Sequence, residues 1–196
     1  MKKLDVDFWD TKHAIGDTPW QLDQPSPPII AYLSQIQKKD LRILIPGAGQ
    51  GYELDYLLQN GFTDVLVCDL SSHAIERLKV RVGDNPSVHY YVGDFFDLTG
   101  KYDLVLEQTF FCALNPQLRL AYLNKMHEIL NVNGKLVGLL FASEFPFEGP
   151  PFGGDINAYK SLFEKKLHIK TMNMCYNSVK PRLGNELFFI CQKIIN

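Results

Sequence analysis

Apolar and polar residues alternate along most of this chain with the two periods that distinguish strands from helices. Short apolar runs are typical of buried strands, and longer segments repeat their apolar residues at helical spacing. The runs predict strands over 41–45, 64–68, 88–92, 102–106, 135–141, 169–175 and 186–194. The helical spacing predicts helices over 29–37, 53–59, 72–82, 116–130 and 155–166.

The order of these elements predicts the fold. Strands and helices alternate through residue 141, which is the arrangement of a parallel sheet with right-handed crossovers. The last two strand-like runs have no helix between them, so the final strand is expected to be antiparallel. We therefore predict a Rossmann-like α/β sandwich with a mostly parallel, seven-stranded sheet, formed by residues 1–196 as a single domain.

The first 28 residues differ in composition from the rest of the chain. They contain both tryptophans, Trp9 and Trp20, and four prolines. Because proline fixes φ and removes a backbone donor, this segment is predicted to be mostly an ordered loop. Gly16 and Pro19 also argue against one continuous helix that would place both tryptophans on the same face.

Composition and charge narrow the function classes. The formal net charge is −2 and no basic stripe occurs, which argues against nucleic acid or an anionic membrane as the main partner. No apolar run has the length of a membrane span, and no secretory signal follows Met1. The four cysteines (Cys68, Cys112, Cys175 and Cys191) have no metal-binding spacing. We expect buried, reduced thiols in a cytoplasmic, monomeric protein without a metal.

Candidate ligand-binding residues follow the strands, because open α/β sheets bind ligands at the carboxyl ends of their strands. Gly47, Gly49 and Gly51 follow the first strand, where glycines permit a sharp turn and a helix N-terminus offers free N–H groups. Their G-x-G-x-G spacing differs from the G-x-G-x-x-G of dinucleotide sites. Asp69 follows the second strand, where it is either an acceptor for the ribose hydroxyls of an adenosyl group or a cap of the next helix.

The third and fourth strands are followed by residues of similar type. Asp94 and Phe95 come after the third strand, where they would contact an adenine ring or form a polar loop beside the core. Glu107 and Gln108 come after the fourth strand, near the expected position of the amino-acid end of the ligand. Such residues at four successive strand ends predict an adenosyl ligand.

Several longer motifs resemble one known family. They are Trp9, Thr18-Pro19-Trp20, Ile45 to Glu53, Asp69-Leu70-Ser71, Gly93 to Phe96, Tyr102 to Leu114 and Gly149 to Phe152. Over nearly the whole chain the sequence resembles the thiopurine S-methyltransferase superfamily, and more closely its plant-type branch of halide, thiol and thiocyanate methyltransferases.

The resemblance implies a class I methyltransferase fold, S-adenosylmethionine as the cofactor, and an N-terminal lid over residues 1–28 whose tryptophans line the site. The candidate cofactor-binding residues are then Trp9, Trp20, Gly47, Gly49, Gly51, Asp69, Leu70, Asp94, Phe95, Glu107 and Gln108. The sequence departs from some relatives at His13, where they carry a third tryptophan, at Glu107-Gln108, where they carry Asp-Tyr, and at Phe152, where they carry tyrosine. These departures leave the identity of the methyl acceptor open.

The expected acceptor is a small, soft nucleophile: a thiol, sulfide, halide or thiocyanate. A thiolate or halide is already an anion near neutral pH, so positioning and exclusion of water matter more than a general base. Phe110, Phe111 and Phe152 are candidates for an apolar acceptor wall, or for plain core residues. Arg119 is a candidate to bind an anionic acceptor, or a solvated surface residue, and His13 is a candidate base for a neutral thiol.

Other functions have less support in the sequence. A nicotinamide-dependent reductase would need the dinucleotide spacing, and a nucleic-acid methyltransferase would need an Asn-Pro-Pro-Tyr-type element after the fourth strand. A metal-assisted enzyme would need clustered carboxylates. The chain shows none of these motifs. A methyltransferase for another small molecule and a non-catalytic cofactor-binding module both stay open.

Overall fold

The computed structural model describes residues 4–194, which form six α-helices and seven strands. The helices are α1 (Val6–Ala14), α2 (Pro27–Leu33), α3 (Tyr52–Gln59), α4 (Ser72–Val82), α5 (Arg119–Ile129) and α6 (Ile156–Phe163). The strands are β1 (Arg42–Pro46), β2 (Asp64–Asp69), β3 (Val88–Val92), β4 (Tyr102–Gln108), β5 (Leu130–Phe141), β6 (His168–Met174) and β7 (Glu186–Gln192). Each of the predicted strands is present.

The strands form one sheet in the order β3-β2-β1-β4-β5-β7-β6. Strands β1 to β5 pair in parallel, whereas β7 lies antiparallel between β5 and β6. The predicted Rossmann-like sheet with an antiparallel final strand is therefore confirmed. The chain order reverses between β1 and β4, and this switch point leaves a crevice at the carboxyl ends of both strands.

Two apolar clusters cover the two faces of the sheet. The side chains of β1 alternate between them, with Ile43 and Ile45 in one cluster and Leu44 in the other. Helices α2, α3 and α4 contribute to the first cluster, and α5 and α6 contribute to the second. Burial on both faces explains why the strands are nearly continuous apolar runs in the sequence.

The N-terminal segment differs from the prediction of a loop, because residues 6–14 form α1. The side chain of Asp5 caps this helix by accepting a hydrogen bond from Phe8 N at 3.1 Å. The chain then leaves the helix before Gly16, whose φ is +73°. The prediction that no continuous helix joins Trp9 to Trp20 is therefore confirmed, whereas the prediction of a loop over residues 6–14 is wrong.

Two element boundaries also differ from expectation. Helix α5 ends at Ile129 and β5 begins at once, so Asn133-Gly134, which lies between the predicted helix and the predicted strand, is inside the strand. Asn133 has a φ of +65°, and the pairing of β5 with β4 shifts register at this point. Helix α2 begins at Pro27, because a proline in the first turn lacks only an N–H that the helix would leave unpaired.

All four cysteines are buried and free, as the sequence predicted. Within residues 4–194 no helix has both the length and the apolar character needed to cross a lipid bilayer.

Candidate active site

A glycine turn joins β1 to α3 at the switch point of the sheet. Gly47, Gly49 and Gly51 all have left-handed backbone angles, with φ of 59°, 51° and 57°. At Gly47 a side chain is also excluded by space, because a Cβ atom would lie 2.5 Å from Cδ2 of Phe110. Gly47 therefore allows both the sharp turn and the close approach of the loop that follows β4.

Asp69, at the end of β2, places its carboxylate beside this turn. Its Oδ2 atom accepts a hydrogen bond from Gly49 N at 2.9 Å, and its Oδ1 atom accepts one from Ser71 N at 2.8 Å. Burial raises the pKa of Asp69, while these two hydrogen bonds and the nearby His13 act in the opposite direction. Asp69 also lines a cavity of about 310 Å³.

The cavity lies beneath the N-terminal segment. Trp9 and Trp20 meet edge to face, with ring centroids 5.6 Å apart, and both line the cavity. His13 lies next to Trp20 and is 4% exposed; burial lowers its pKa, so its ring is neutral near pH 7. The rest of the wall consists of Leu4, Gly47, Gly49, Asp69, Leu70, Thr109, Phe110, Ala113, Leu114, Asn115 and Leu118.

Two charged side chains hold the N-terminal segment in place. Asp10, in α1, accepts a hydrogen bond from Ser71 Oγ at 2.7 Å and pairs with His73 Nδ1 at 2.9 Å. The hydrogen bond with His73 holds the pKa of Asp10 well below its usual range. Arg182, in the connection between β6 and β7, donates a hydrogen bond to the carbonyl oxygen of Trp20. The segment is thus tied both to the start of α4 and to the connection between β6 and β7.

The last residue of β4 carries a polar atom without a hydrogen-bond partner. Gln108 lines a second cavity of about 60 Å³, which shares Gly47 and Gly49 with the first. The Oε1 atom of Gln108 is buried and has no hydrogen-bond partner among the described residues. Buried polar atoms are nearly always paired, so a donor from a ligand in this cavity would satisfy Gln108 Oε1.

A smaller chamber of about 30 Å³ adjoins the large cavity. It is lined by Trp9, Trp20, Thr109, Cys112, Ala113, Pro150 and Pro151. Trp9, Trp20, Thr109 and Ala113 also line the large cavity, so the two spaces share a wall. Burial raises the pKa of Cys112 far above its usual value, so its thiol stays neutral. The chamber wall therefore offers no side chain that accepts a proton near neutral pH.

Most of the predicted cofactor residues meet at the two larger cavities. These are Trp9, Trp20, Gly47, Gly49, Gly51, Asp69, Leu70 and Gln108. The other three do not line either cavity. Asp94 is exposed and caps a short turn through Phe96 N, Phe95 lies in the core, and the carboxylate of Glu107 is buried behind the loop.

Some of the residues predicted to contact the methyl acceptor line a cavity, and the others do not. Phe110 lines the large cavity, whereas Phe111 is fully buried in the core. Neither Phe152 nor Arg119 lines the chamber. The Arg119 guanidinium lies 4.9 Å from the Phe111 ring centroid and donates a hydrogen bond to Gly153 O at 2.9 Å. His13 lines both larger cavities but not the chamber.

Sequence reasoning missed several residues of the wall. They are Thr109, Cys112, Ala113, Leu114, Leu118, Pro150 and Pro151. All but Leu118 lie inside motifs that carried the family resemblance, so a signal existed. Which residue of such a loop faces the cavity depends on Thr109, whose φ of +61° is rare outside glycine and turns the chain sharply.

The walls fit S-adenosylmethionine. Asp69 and the unpaired Gln108 Oε1 are acceptors that suit ribose hydroxyls and an ammonium group, and Leu70, Leu114 and Leu118 suit an aromatic base. The volume of the large cavity, about 310 Å³, lies in the range of small-molecule sites.

Known proteins of similar sequence and fold agree with this geometry. The sequence pattern of the family described as Thiopurine S-methyltransferase matches residues 4–187. Probable thiol methyltransferase 2 of Arabidopsis thaliana is 29% identical over 185 residues, covering 91% of this chain and 81% of that protein. Thiocyanate methyltransferase 1 of Brassica oleracea is 26% identical over 185 residues, with the same coverage of 91% and 81%.

The fold recurs in solved structures. The 1,6-didemethyltoxoflavin-N1-methyltransferase of Burkholderia thailandensis, solved with S-adenosylhomocysteine, aligns with a TM-score of 0.77 at 19% identity. The alignment covers 97% of this chain and 87% of that one. Fold and site together define the protein as an S-adenosylmethionine-dependent methyltransferase of the class I type. The match over residues 4–187 shows that the chain belongs to the thiopurine S-methyltransferase family, as the sequence motifs predicted.

Replacing Gly47 by alanine is expected to lower the affinity for S-adenosylmethionine about tenfold or more. The alanine must adopt a left-handed conformation, which costs about 1–2 kcal/mol, and its Cβ must displace the Phe110 ring from the cavity wall. Calorimetric titration measures the affinity. Gly61→Ala is the matched control, because Gly61 has a φ of +79° and nothing within 4 Å of its Cβ position. Equal losses of affinity in both variants would contradict the role of Gly47.

Proposed function

We propose that this enzyme transfers a methyl group to a small, soft nucleophile: a thiol, sulfide, a halide ion or thiocyanate. The chamber beside the cofactor cavity carries the proposal, because its volume of about 30 Å³ admits only a small group. Indole, proline, alanine and thiol groups form most of its wall, and such surfaces suit weakly hydrated, polarizable atoms. The names of the two plant relatives support the same class of acceptor.

The protein's part in this reaction is to hold the two reactants and to exclude water. S-adenosylmethionine, when bound, supplies an electrophilic methyl group. Asp69 would hold its ribose hydroxyls and Gln108 its amino-acid end, while Trp9 and Trp20 cover the cavity. Water excluded by the indole rings cannot solvate the acceptor, and a poorly solvated anion is a stronger nucleophile. Thr109, which lines both the cavity and the chamber, lies where the two reactants would meet.

The proposal includes no general base. His13 is the titratable candidate from the sequence, but it does not line the chamber and burial lowers its pKa. Arg119 is engaged with backbone carbonyls and aromatic rings on the far side of Phe111. We therefore propose that the acceptor enters as an anion and loses no proton to the protein.

Transfer of labelled methyl groups tests this proposal. The purified protein is incubated with methyl-labelled S-adenosylmethionine and, separately, iodide, thiocyanate, bisulfide or a simple aromatic thiol. Label in a volatile or extractable product would support the proposal and rank the acceptors. Cofactor binding by calorimetry without transfer to any of them would reject this acceptor class and leave the family assignment intact.

Cys112→Ala is expected to widen the chamber and to shift specificity toward larger thiols. The ratio of kcat/KM for an aromatic thiol to that for bisulfide should rise about tenfold, which is the usual worth of one small group in an apolar pocket. Cys191→Ala is the control, because Cys191 is also buried but lies in β7 and does not line the chamber. The same ratio in both variants would show that the chamber does not receive the acceptor.

A further inference from the structure

Glu107 is a buried carboxylate whose oxygens are bonded to the protein. Its Oε1 atom accepts hydrogen bonds from Phe110 N at 2.9 Å and from Phe111 N at 2.8 Å. Its Oε2 atom accepts a hydrogen bond from the Tyr122 hydroxyl at 2.6 Å. The residue is 0% exposed, and burial raises its pKa to about 7 despite these three donors. These contacts direct the carboxylate away from both larger cavities.

Glu107 holds the turn from Thr109 to Phe111, and this turn borders both cavities and the chamber. Thr109 lines the cofactor cavity, the second cavity and the chamber. Its left-handed conformation is unfavourable for a β-branched residue and persists only where the surrounding structure fixes it. Phe110 follows directly and packs against Gly47 in the cavity wall. The two N–H groups that follow Thr109 both donate to Glu107 Oε1, so this one atom ties down the strained turn.

We infer that Glu107 is a positioning residue, which fixes the turn from Thr109 to Phe111 through its Oε1 atom and so shapes the cofactor cavity and the chamber together. It does this without touching the cofactor. The effect on the cofactor cavity is independent of the acceptor, whereas the effect on acceptor turnover rests on the proposed function.

Two substitutions of Glu107 distinguish the loss of the oxygen that accepts the hydrogen bonds from the loss of charge. Glu107→Met keeps the length of the side chain but removes both oxygens. Glu107→Gln keeps one oxygen for the two N–H groups, and its amide can donate to the Tyr122 oxygen. Hydrogen–deuterium exchange at the Phe110 and Phe111 amides, measured on the intact protein without cofactor or acceptor, reports on the turn directly.

In Glu107→Met the two amides are expected to exchange about tenfold or more faster than in the wild type, since both lose the Oε1 atom that accepts their hydrogen bonds. Affinity for S-adenosylmethionine should fall as well, and kcat per folded molecule at saturating substrates should fall about tenfold. In Glu107→Gln all three quantities should stay within about threefold of the wild type. A residue that only supported the fold would leave kcat per folded molecule unchanged.

Tyr122→Phe is the second control. It removes the partner of Oε2 and leaves both bonds to Oε1 in place, so amide exchange and cofactor affinity should stay close to wild type. Three outcomes would overturn the inference: unchanged exchange in Glu107→Met, a Tyr122→Phe variant as impaired as Glu107→Met, or a Glu107→Gln variant that loses the cofactor. The last would identify the charged carboxylate as a direct cofactor ligand. Amide exchange and cofactor binding are measured without a methyl acceptor. A negative result in either is therefore distinct from failure of the proposed function.

Discussion

Replacing Asp69 by alanine is expected to lower the affinity for S-adenosylmethionine at least about 100-fold, because two hydrogen bonds to a charged group contribute about 1.5–3 kcal/mol each. The carboxylate lines the large cavity at the end of β2, beside the glycine turn, where ribose hydroxyls would reach it. Isothermal titration calorimetry measures the loss. An affinity close to that of the wild type would remove Asp69 from the site.

Two further variants make this experiment specific. Alanine leaves Gly49 N and Ser71 N without their acceptor, at a cost to stability of about 1–3 kcal/mol, so thermal unfolding must show that the variant is folded. Asp69→Asn keeps an acceptor for one of these groups and should fold better while still losing affinity. Asp94→Ala is the positional control: Asp94 lies just after the end of β3 and Asp69 lies at the end of β2, but Asp94 is exposed and does not line the cavity. It should change the affinity less than about threefold.

Deletion of residues 1–20 is expected to leave a folded domain whose kcat/KM is lower by about 100-fold or more. The deletion removes both tryptophans and His13 from the cavity wall, whereas the described sheet and the two apolar clusters keep all their residues. Without that cover, water reaches the cavity and the reactants lose their fixed positions. Circular dichroism and thermal unfolding test the fold, and the labelled-methyl assay tests the activity.

A milder variant tests whether the activity is lost because residues 1–20 no longer cover the cavity. Asp10→Asn keeps every residue of the segment but weakens its attachment to α4, because the charged contact with His73 is lost. Its kcat/KM should fall between those of the wild type and the deletion. Full activity in the truncated chain would contradict the role of residues 1–28 as a lid.

The positions of Gly47, Asp69 and the pair Glu107-Gln108 follow from the sequence, because each lies within two residues of the end of a predicted strand and parallel strands end at one edge of the sheet. The sequence alone does not tell which of Glu107 and Gln108 faces the ligand. Neighbouring side chains of a strand point to opposite sides, so only one of the two can face the ligand. The structure turns Gln108 toward the cavity and Glu107 toward Tyr122. The sequence pattern does not contain this choice, because it depends on the distant partner Tyr122, which bonds the buried Glu107 carboxylate.

Helix α1 could not be predicted from the sequence for a related reason. Its apolar residues have no helical period, so the sequence lacks the usual sign of a helix that packs on a core. Its contacts come instead from residues far along the chain: Asp10 bonds Ser71, and the carbonyl of His13 accepts a hydrogen bond from Arg77 at 2.7 Å. Local propensity carries no information about such partners, whereas the strands, which bury apolar runs, were each predictable.

The hydrogen bond from Arg182 to the Trp20 carbonyl joins residues 162 positions apart. During synthesis the chain emerges from its N-terminus, so the tryptophans that cover the cavity appear well before the residue that fastens them. The cover can therefore be completed only after the hairpin of β6 and β7 has formed. A chain that stops short of this hairpin would lack this bond and would hold the N-terminal segment through the contacts of α1 with Ser71, His73 and Arg77.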